Sequence, residues 1–259
     1  MKYLLYLLPL LFCMCSSPSN NQGNISTFSM AITPSATTVA IDEPFTITVT
    51  SSETMKWMAV TTDGTDPVNF SGSDYGTSKV FYFTFDTLGS RIINIKVKNE
   101  KNEVVLKTIT ITVTRGNAIK ITGLQVKSFY NINNTWDPEY APTDINRLAD
   151  VFFVLVKHQQ SNPFQIGYFY NNSWCRSTVK ENQGDLTWDL SSSNLYINPK
   201  ASLLFGLGDK DGQLGQDLLM GPPDTKTISF SSYIATKPNT ITYSFPEINL
   251  EFTVTVEWP

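Results

Sequence analysis

Phe45-Thr46-Ile47-Thr48-Val49-Thr50 alternates apolar and polar residues without a break. Successive side chains of a strand point to opposite faces, so this period predicts a half-buried strand with Phe45, Ile47 and Val49 turned inward. The β-branched residues reinforce it. The same signal recurs on both sides, in Lys56–Val60, Val80–Phe85, Ile92–Val97 and Val104–Val113. Turn residues punctuate these runs at Asp63-Gly64, Ser71-Gly72, Leu88-Gly89 and Asn99–Asn102. No helical period extends over a useful length. Short strands at this spacing predict a β-sandwich over residues 29–115. Phe81, Phe83 and Phe85 share its core face, Tyr82 points to solvent, and Trp57 is expected in the core.

Arg115-Gly116-Asn117 breaks the pattern, and a second β-rich stretch occupies 118–259. Val151-Phe-Phe-Val-Leu-Val156 is almost wholly apolar, as a central strand would be. Ile119–Phe129, Phe164–Tyr170, Leu186–Leu190, Tyr196-Ile197, Leu203–Leu207, Thr227–Phe230, Thr240–Phe245 and Leu250–Trp258 supply the rest. The expected fold class is all-β, with two antiparallel β-sandwich domains, the second of roughly eight strands.

Composition narrows the function. The chain has 259 residues and a net charge of −4, and only 16% of its residues are charged. An acidic balance argues against nucleic acid and against a basic membrane-surface patch. Residues 1–15 carry one Lys and an apolar run from Leu4 to Phe12 that is too short to span a bilayer. Cys13 and Cys15 close it, and a Ser/Pro/Asn/Gln/Gly-rich tether follows over 16–28. The segment resembles a bacterial lipoprotein signal. The resemblance implies lipidation of Cys15, a membrane anchor at the N-terminus and a place in the cell envelope, on an outer membrane. It departs from the usual pattern at Met14, where a small residue is common. After processing, Cys175 is the only other thiol, so no disulfide framework or zinc-binding Cys cluster is expected and burial must supply stability.

The chemistry-bearing stretch is Asp209-Lys210-Asp211-Gly212-Gln213-Leu214-Gly215-Gln216-Asp217. Three carboxylates on one short turn repel each other unless water or a cation screens them. Hard carboxylate oxygens on a flexible loop suit Ca²⁺ rather than Zn²⁺. An EF-hand register fails, because Leu207 and Leu218 would occupy its first and last ligand positions. Asp144 and Asp150, six residues apart just before the Val151–Val156 strand, provide a possible opposite wall. The plain alternative is a set of solvated acids.

Two family resemblances bear on these residues. Pro44–Ile47, Trp57, Asp63-Gly64, Phe85–Ser90 and the Thr-rich strand ending at Val113 make 29–115 resemble a PKD/Ig-like domain. Asp144-x5-Asp150 before one strand, Asp209-x-Asp211-x5-Asp217 after another and Thr187-Trp188-Asp189-Leu190 make 118–259 resemble a C2-like domain. The pair together is similar to a Bacteroidota-type surface lipoprotein. The C2 resemblance implies Asp209 and Asp211 as bridging Ca²⁺ ligands, Asp217 as a peripheral one and Asp150 as the ligand from the other loop. Either Asp144 or Asp137, beside Trp136, would complete the site. It further implies Ca²⁺-dependent binding of an anionic or polyhydroxyl ligand: a lipid headgroup, a glycan or a protein.

Enzymatic activity is not expected. His158 is the only His, no nucleophile elbow is present, and Cys175 reads as a small buried residue. Two alternatives to the Ca²⁺-dependent module remain. One is a purely structural surface protein without an ion. The other is a carbohydrate-binding lipoprotein using Tyr168, Phe169, Tyr170 or Trp174. Leu214, at the tip of the acidic loop, is a separate candidate contact, since apolar loop tips of lipid-binding C2 domains enter the membrane.

Overall fold

The computed structural model describes residues 27–157, 173–211, 215–219 and 225–259, with the backbone alone at 211 and 215–218. The signal and Cys15, His158, the Phe164–Tyr170 stretch and Leu214 therefore lie outside the described residues. The chain is all-β. No helix among the described residues is long and apolar enough to cross a membrane.

The first sandwich comprises β1 (Met30–Pro34), β2 (Thr38–Ala40), β3 (Phe45–Ser51), β4 (Trp57–Thr61), β5 (Ser71–Gly72), β6 (Ser78–Phe83), β7 (Gly89–Lys98) and β8 (Val104–Thr114). One sheet runs β1-β3-β6 and the other β2-β8-β7-β4-β5. This alternation of the chain between a three-stranded and a five-stranded sheet is immunoglobulin-like. All pairs are antiparallel except β2 with β8, which is parallel. Ile47 and Val49 of β3 face Ile93, Ile95 and Val97 of β7 within one core, each fully buried. Each such side chain contributes about 1.5–3 kcal/mol relative to exposure.

Phe81, Phe83 and Phe85 pack on that core, and Phe45 lies 5.6 Å from Phe83 and 5.7 Å from Phe85 between ring centroids. Tyr82 is 78% exposed. Trp57 is not in the core. Its neighbour Met58 takes the inward position, so alternation puts the indole on the outer face, where the Lys98 ammonium lies 4.5 Å from its ring. Strands β1 and β2 are short, and no alternating run announces them.

The second sandwich contains β9 (Ile119–Ser128), β10 (Val151–Lys157), β11 (Cys175–Arg176), β12 (Thr187–Asp189), β13 (Tyr196–Ile197), β14 (Ser202–Asp211), β15 (Gly215–Leu218), β16 (Lys226–Ser229), β17 (Thr240–Phe245) and β18 (Leu250–Glu257). One sheet runs β12-β9-β18-β17, with β13 also on β9; the other runs β11-β10-β14-β15, with β16 also on β14. As expected, β10 is internal. Aromatic rings join the sheets: Phe205 stacks on Phe252 at 3.9 Å, and Trp188 meets Phe153 edge-on at 5.1 Å.

The acidic stretch is more regular than an exposed turn. β14 continues through Asp211, β15 begins at Gly215, and Asp209 pairs with Asp217 across the ladder. Three of the acids are thus strand positions at one end of a sheet.

Candidate functional site

The register of β10 on β14 joins the two acidic stretches. Val151 pairs with Asp209, which brings Asp150 beside β14. There the Asp150 N–H donates to Asp209 Oδ1 at 2.5 Å, and Lys210 N–H donates to the Asp150 carbonyl at 3.0 Å. Asp209 is fully buried. A carboxylate accepting from a main-chain N–H is a charge-assisted contact, and here it closes the sheet end. Asp209 does not line the open space in front.

That space is a cleft of 630 Å³ with Asp137, Asp150, Glu139, Glu181, Asn182 and Lys210 in its walls. Trp136, Pro138, Tyr140 and Asn146 complete the lining. Lys210 comes from β14, and three loop segments build the rest. In the first, the amides of Trp136 and Asp137 both donate to the Arg147 carbonyl, at 2.8 and 3.2 Å. Arg147 Nη1 returns to the Asn133 carbonyl at 2.9 Å. Asn131 and Asn133 take left-handed conformations, φ 54° and 68°, which Asn tolerates in tight turns.

The second segment is the 3-10 turn Ile145–Arg147 and the chain into β10. Asp144 caps that turn by accepting from the Asn146 N–H at 2.9 Å. It does not line the cleft, whereas Asp137 does. Of the two acids considered as partner to Asp150, only Asp137 shares its cleft.

The third segment is Glu181–Gln183. Asn182 N–H donates to Asp150 Oδ1 at 2.8 Å, and Asn182 Nδ2 to Asn146 Oδ1 at 3.2 Å. Gln183 binds the Ala149 carbonyl through its N–H at 2.8 Å and accepts from Asn133 N–H at 3.0 Å. Its Nε2 is buried without a hydrogen-bond partner. The three walls are therefore hydrogen-bonded to one another.

The cleft carries four carboxylates, on Asp137, Glu139, Asp150 and Glu181, against the Lys210 ammonium. Among the described residues no three acidic, His or Cys side chains converge closely enough to hold a metal ion together. Asp211 and Asp217 carry their carboxylates outside the described side chains.

The other expected site residues fall elsewhere. Trp174 packs on the second core, and the Lys157 ammonium lies 4.3 Å from its ring. Cys175 is half-buried, and burial pushes its thiol up to about 11. Sequence reasoning missed Trp136 and Tyr140 as cleft aromatics. The available signal was their place in the long polar loop between two strong strands.

No family model matches the chain, and no curated protein matches it. Among solved structures, the fibronectin(III)-like modules of CbhA from Clostridium thermocellum align at 7% identity and TM-score 0.27, over 77% of this chain and 93% of that one. The human OSCAR ligand-binding domain aligns at 10% identity and TM-score 0.26, over 77% and 97%. At these scores neither likeness bears on function.

Proposed function

We propose that the protein is a non-enzymatic binding module of the cell envelope, anchored through lipidated Cys15, with its ligand site in the cleft at the end of the second sandwich. The observation carrying this is the convergence of two acidic stretches distant in sequence: Asp150 is bonded to Asp209 and shares the cleft with Asp137. The C2-like resemblance adds Ca²⁺ to the reading. Ca²⁺ takes six to eight oxygens. Asp137 and Asp150 would provide the near wall. Because no three described side chains converge, the set also needs Asp211 or Asp217 together with main-chain carbonyls. Asp209 would act from behind by holding Asp150, and Asp144 by capping its turn. A bound ion would offset the carboxylate repulsion and leave positions open for oxygens of an anionic or polyhydroxyl ligand.

Calorimetric titration of the mature protein with Ca²⁺ tests the ion. Binding at about 10⁻⁴–10⁻³ M with a rise in Tm is expected, lost in Asp150→Asn and weakened in Asp211→Asn/Asp217→Asn. No heat and no melting shift at millimolar Ca²⁺ would leave an ion-free surface module. Labelling with a fatty-acid analogue, lost in Cys15→Ser, tests the anchor.

A further inference from the structure

We infer that the cleft takes a neutral oligosaccharide, stacked on Trp136 and Tyr140 and hydrogen-bonded by the carboxylates and amides around them. The inference rests on the reading of this cleft as the ligand site and specifies its occupant.

The aromatic walls are the first reason. Trp136 is held from several directions. Its indole Nε1–H donates to the Asn131 carbonyl at 3.2 Å, its main-chain N–H donates to Arg147, and its ring packs partly on the core. A ring fixed before binding loses little rotational freedom on binding. Tyr140, 41% exposed, lines the same cleft. Both residues line the cleft, and an aromatic ring that borders a ligand site can stack on a flat apolar face such as the C–H face of a pyranose.

Elimination is the second. A purely apolar ligand would strip water from the carboxylates in the walls, among them those of the exposed Glu139 and Glu181, at a desolvation cost. An anion would meet four carboxylates and one ammonium. A bare cation has no use for two neutral ring walls once oxygens are available. A neutral polyol donates to the carboxylates, accepts from Lys210 and bonds both ways with the Asn146 and Asn182 amides. The cleft's 630 Å³ falls within the roughly 300–1,000 Å³ usual for small-ligand sites.

The third reason is rigidity. Asn131, Asn133, Asn182 and Gln183 all sit at positive φ within the segments forming the walls. Their bonds to each other and to Asp150 and Ala149 hold the polar groups in place before a ligand arrives.

The test uses the mature full chain and a panel of soluble hexasaccharides (cello-, xylo-, malto- and chito-), titrated calorimetrically in 2 mM Ca²⁺ and again in EDTA. At least one sugar should bind. Trp136→Ala should weaken that binding by about tenfold or more, and Tyr140→Ala severalfold. Trp57→Phe, in the first sandwich, should leave it unchanged. Tyr140 is exposed, so its variant keeps the test decisive if Trp136→Ala fails to fold. Binding of no sugar, or binding indifferent to both aromatic substitutions, overturns the inference. The ion is judged separately by the heat of Ca²⁺ binding without sugar. Sugar binding equal in both buffers would uphold the inference while removing the ion.

Discussion

Cys175 shows how burial alone sets the chemistry of a side chain. Its thiol pKa rises from 9.0 to about 11 because the thiolate would be desolvated. At pH 8 the thiolate fraction is therefore about a hundredfold below that of a free thiol. Native protein should react slowly with iodoacetamide, and labelling should accelerate by about that factor in denaturant. The folded pKa is raised, so this group's contribution to stability is complete below pH 9 and is lost as pH rises through 11. An alkaline melting series on wild type and Cys175→Ala should show the stability difference between them changing across that window and level on either side of it. Fast native alkylation at pH 8 would contradict the burial. The same physics argues against a nucleophilic role for this thiol.

At the scale of elements, the site depends on a close approach inside the β10–β14 pair. Gly208 stands opposite Phe152, and an added Cβ would lie 2.7 Å from the ring's Cζ. Phe152 is fully buried, with the Arg176 guanidinium 4.2 Å from its ring. Gly208→Ala should therefore destabilise by about 1–3 kcal/mol through overpacking, and Phe152→Leu in the same chain should recover part of the loss. Chemical denaturation of the three variants measures it. Equal stability of Gly208→Ala and wild type would show that the strands can part there without cost. The approach fixes the neighbouring Asp209 against Asp150, so the ligand affinity of Gly208→Ala should fall as well.

Much of this element structure was legible. Alternation marked β3, β7, β8 and β18, each with a dry inward face, although Asn94 of β7 and Thr253 of β18 are buried on the opposite face as well. The apolar run at Val151 marked an internal strand. Trp57 was misread because an aromatic residue in a strand does not announce which face it takes, and only Met58 beside it settled the parity. The acidic hairpin was read as a loop because charge looks like solvent exposure, yet the ladder extends through Asp211 and buries Asp209. The spacing sets Asp144 and Asp150 opposite the 209–217 stretch as facing walls, whereas in the structure Asp150 N–H is bonded to Asp209 and neither Asp209 nor Asp144 lines the cleft. The cleft's aromatics were not, since the 131–146 loop has no period and its shape comes from left-handed Asn residues and main-chain bonds.

The whole molecule poses the question of how two sandwiches with separate cores behave as one. The link is short: β8 ends at Thr114 and β9 starts at Ile119. Within it Gly116 adopts φ 53°, and an added Cβ would strike that of Ala40 at 2.5 Å. Arg115 bridges to the Glu257 carboxylate at 3.0 Å and carbonyl at 2.8 Å. The stronger tie is the pair of Lys157, at the end of β10, with Asp42 of the first sandwich, at 2.8 and 3.0 Å. Only 10% and 9% of these side chains are exposed. Lys157 also donates to the Tyr196 carbonyl at 2.7 Å, and the Asn198 N–H donates to Asp42 Oδ2 at 2.9 Å. Burial pulls the Lys157 pKa down while Asp42 pulls it up.

Removing one partner of such a pair leaves a buried uncompensated charge and costs about 3–5 kcal/mol. Asp42→Asn suits the test, because Asn accepts the φ of 61° found there. Wild type should unfold in one transition by tryptophan fluorescence, since Trp57 reports on the first sandwich and Trp188 on the second. In Asp42→Asn the midpoint should fall, and the signals of single-Trp variants should separate into two transitions as the sandwiches uncouple. Lys157→Met added to Asp42→Asn removes the stranded ammonium and should restore part of the midpoint without restoring the coupling. Two well-separated transitions already in wild type, unmoved by Asp42→Asn, would mean that the buried pair does not tie the sandwiches together. In that case the cleft would not be carried at a fixed angle to the first sandwich.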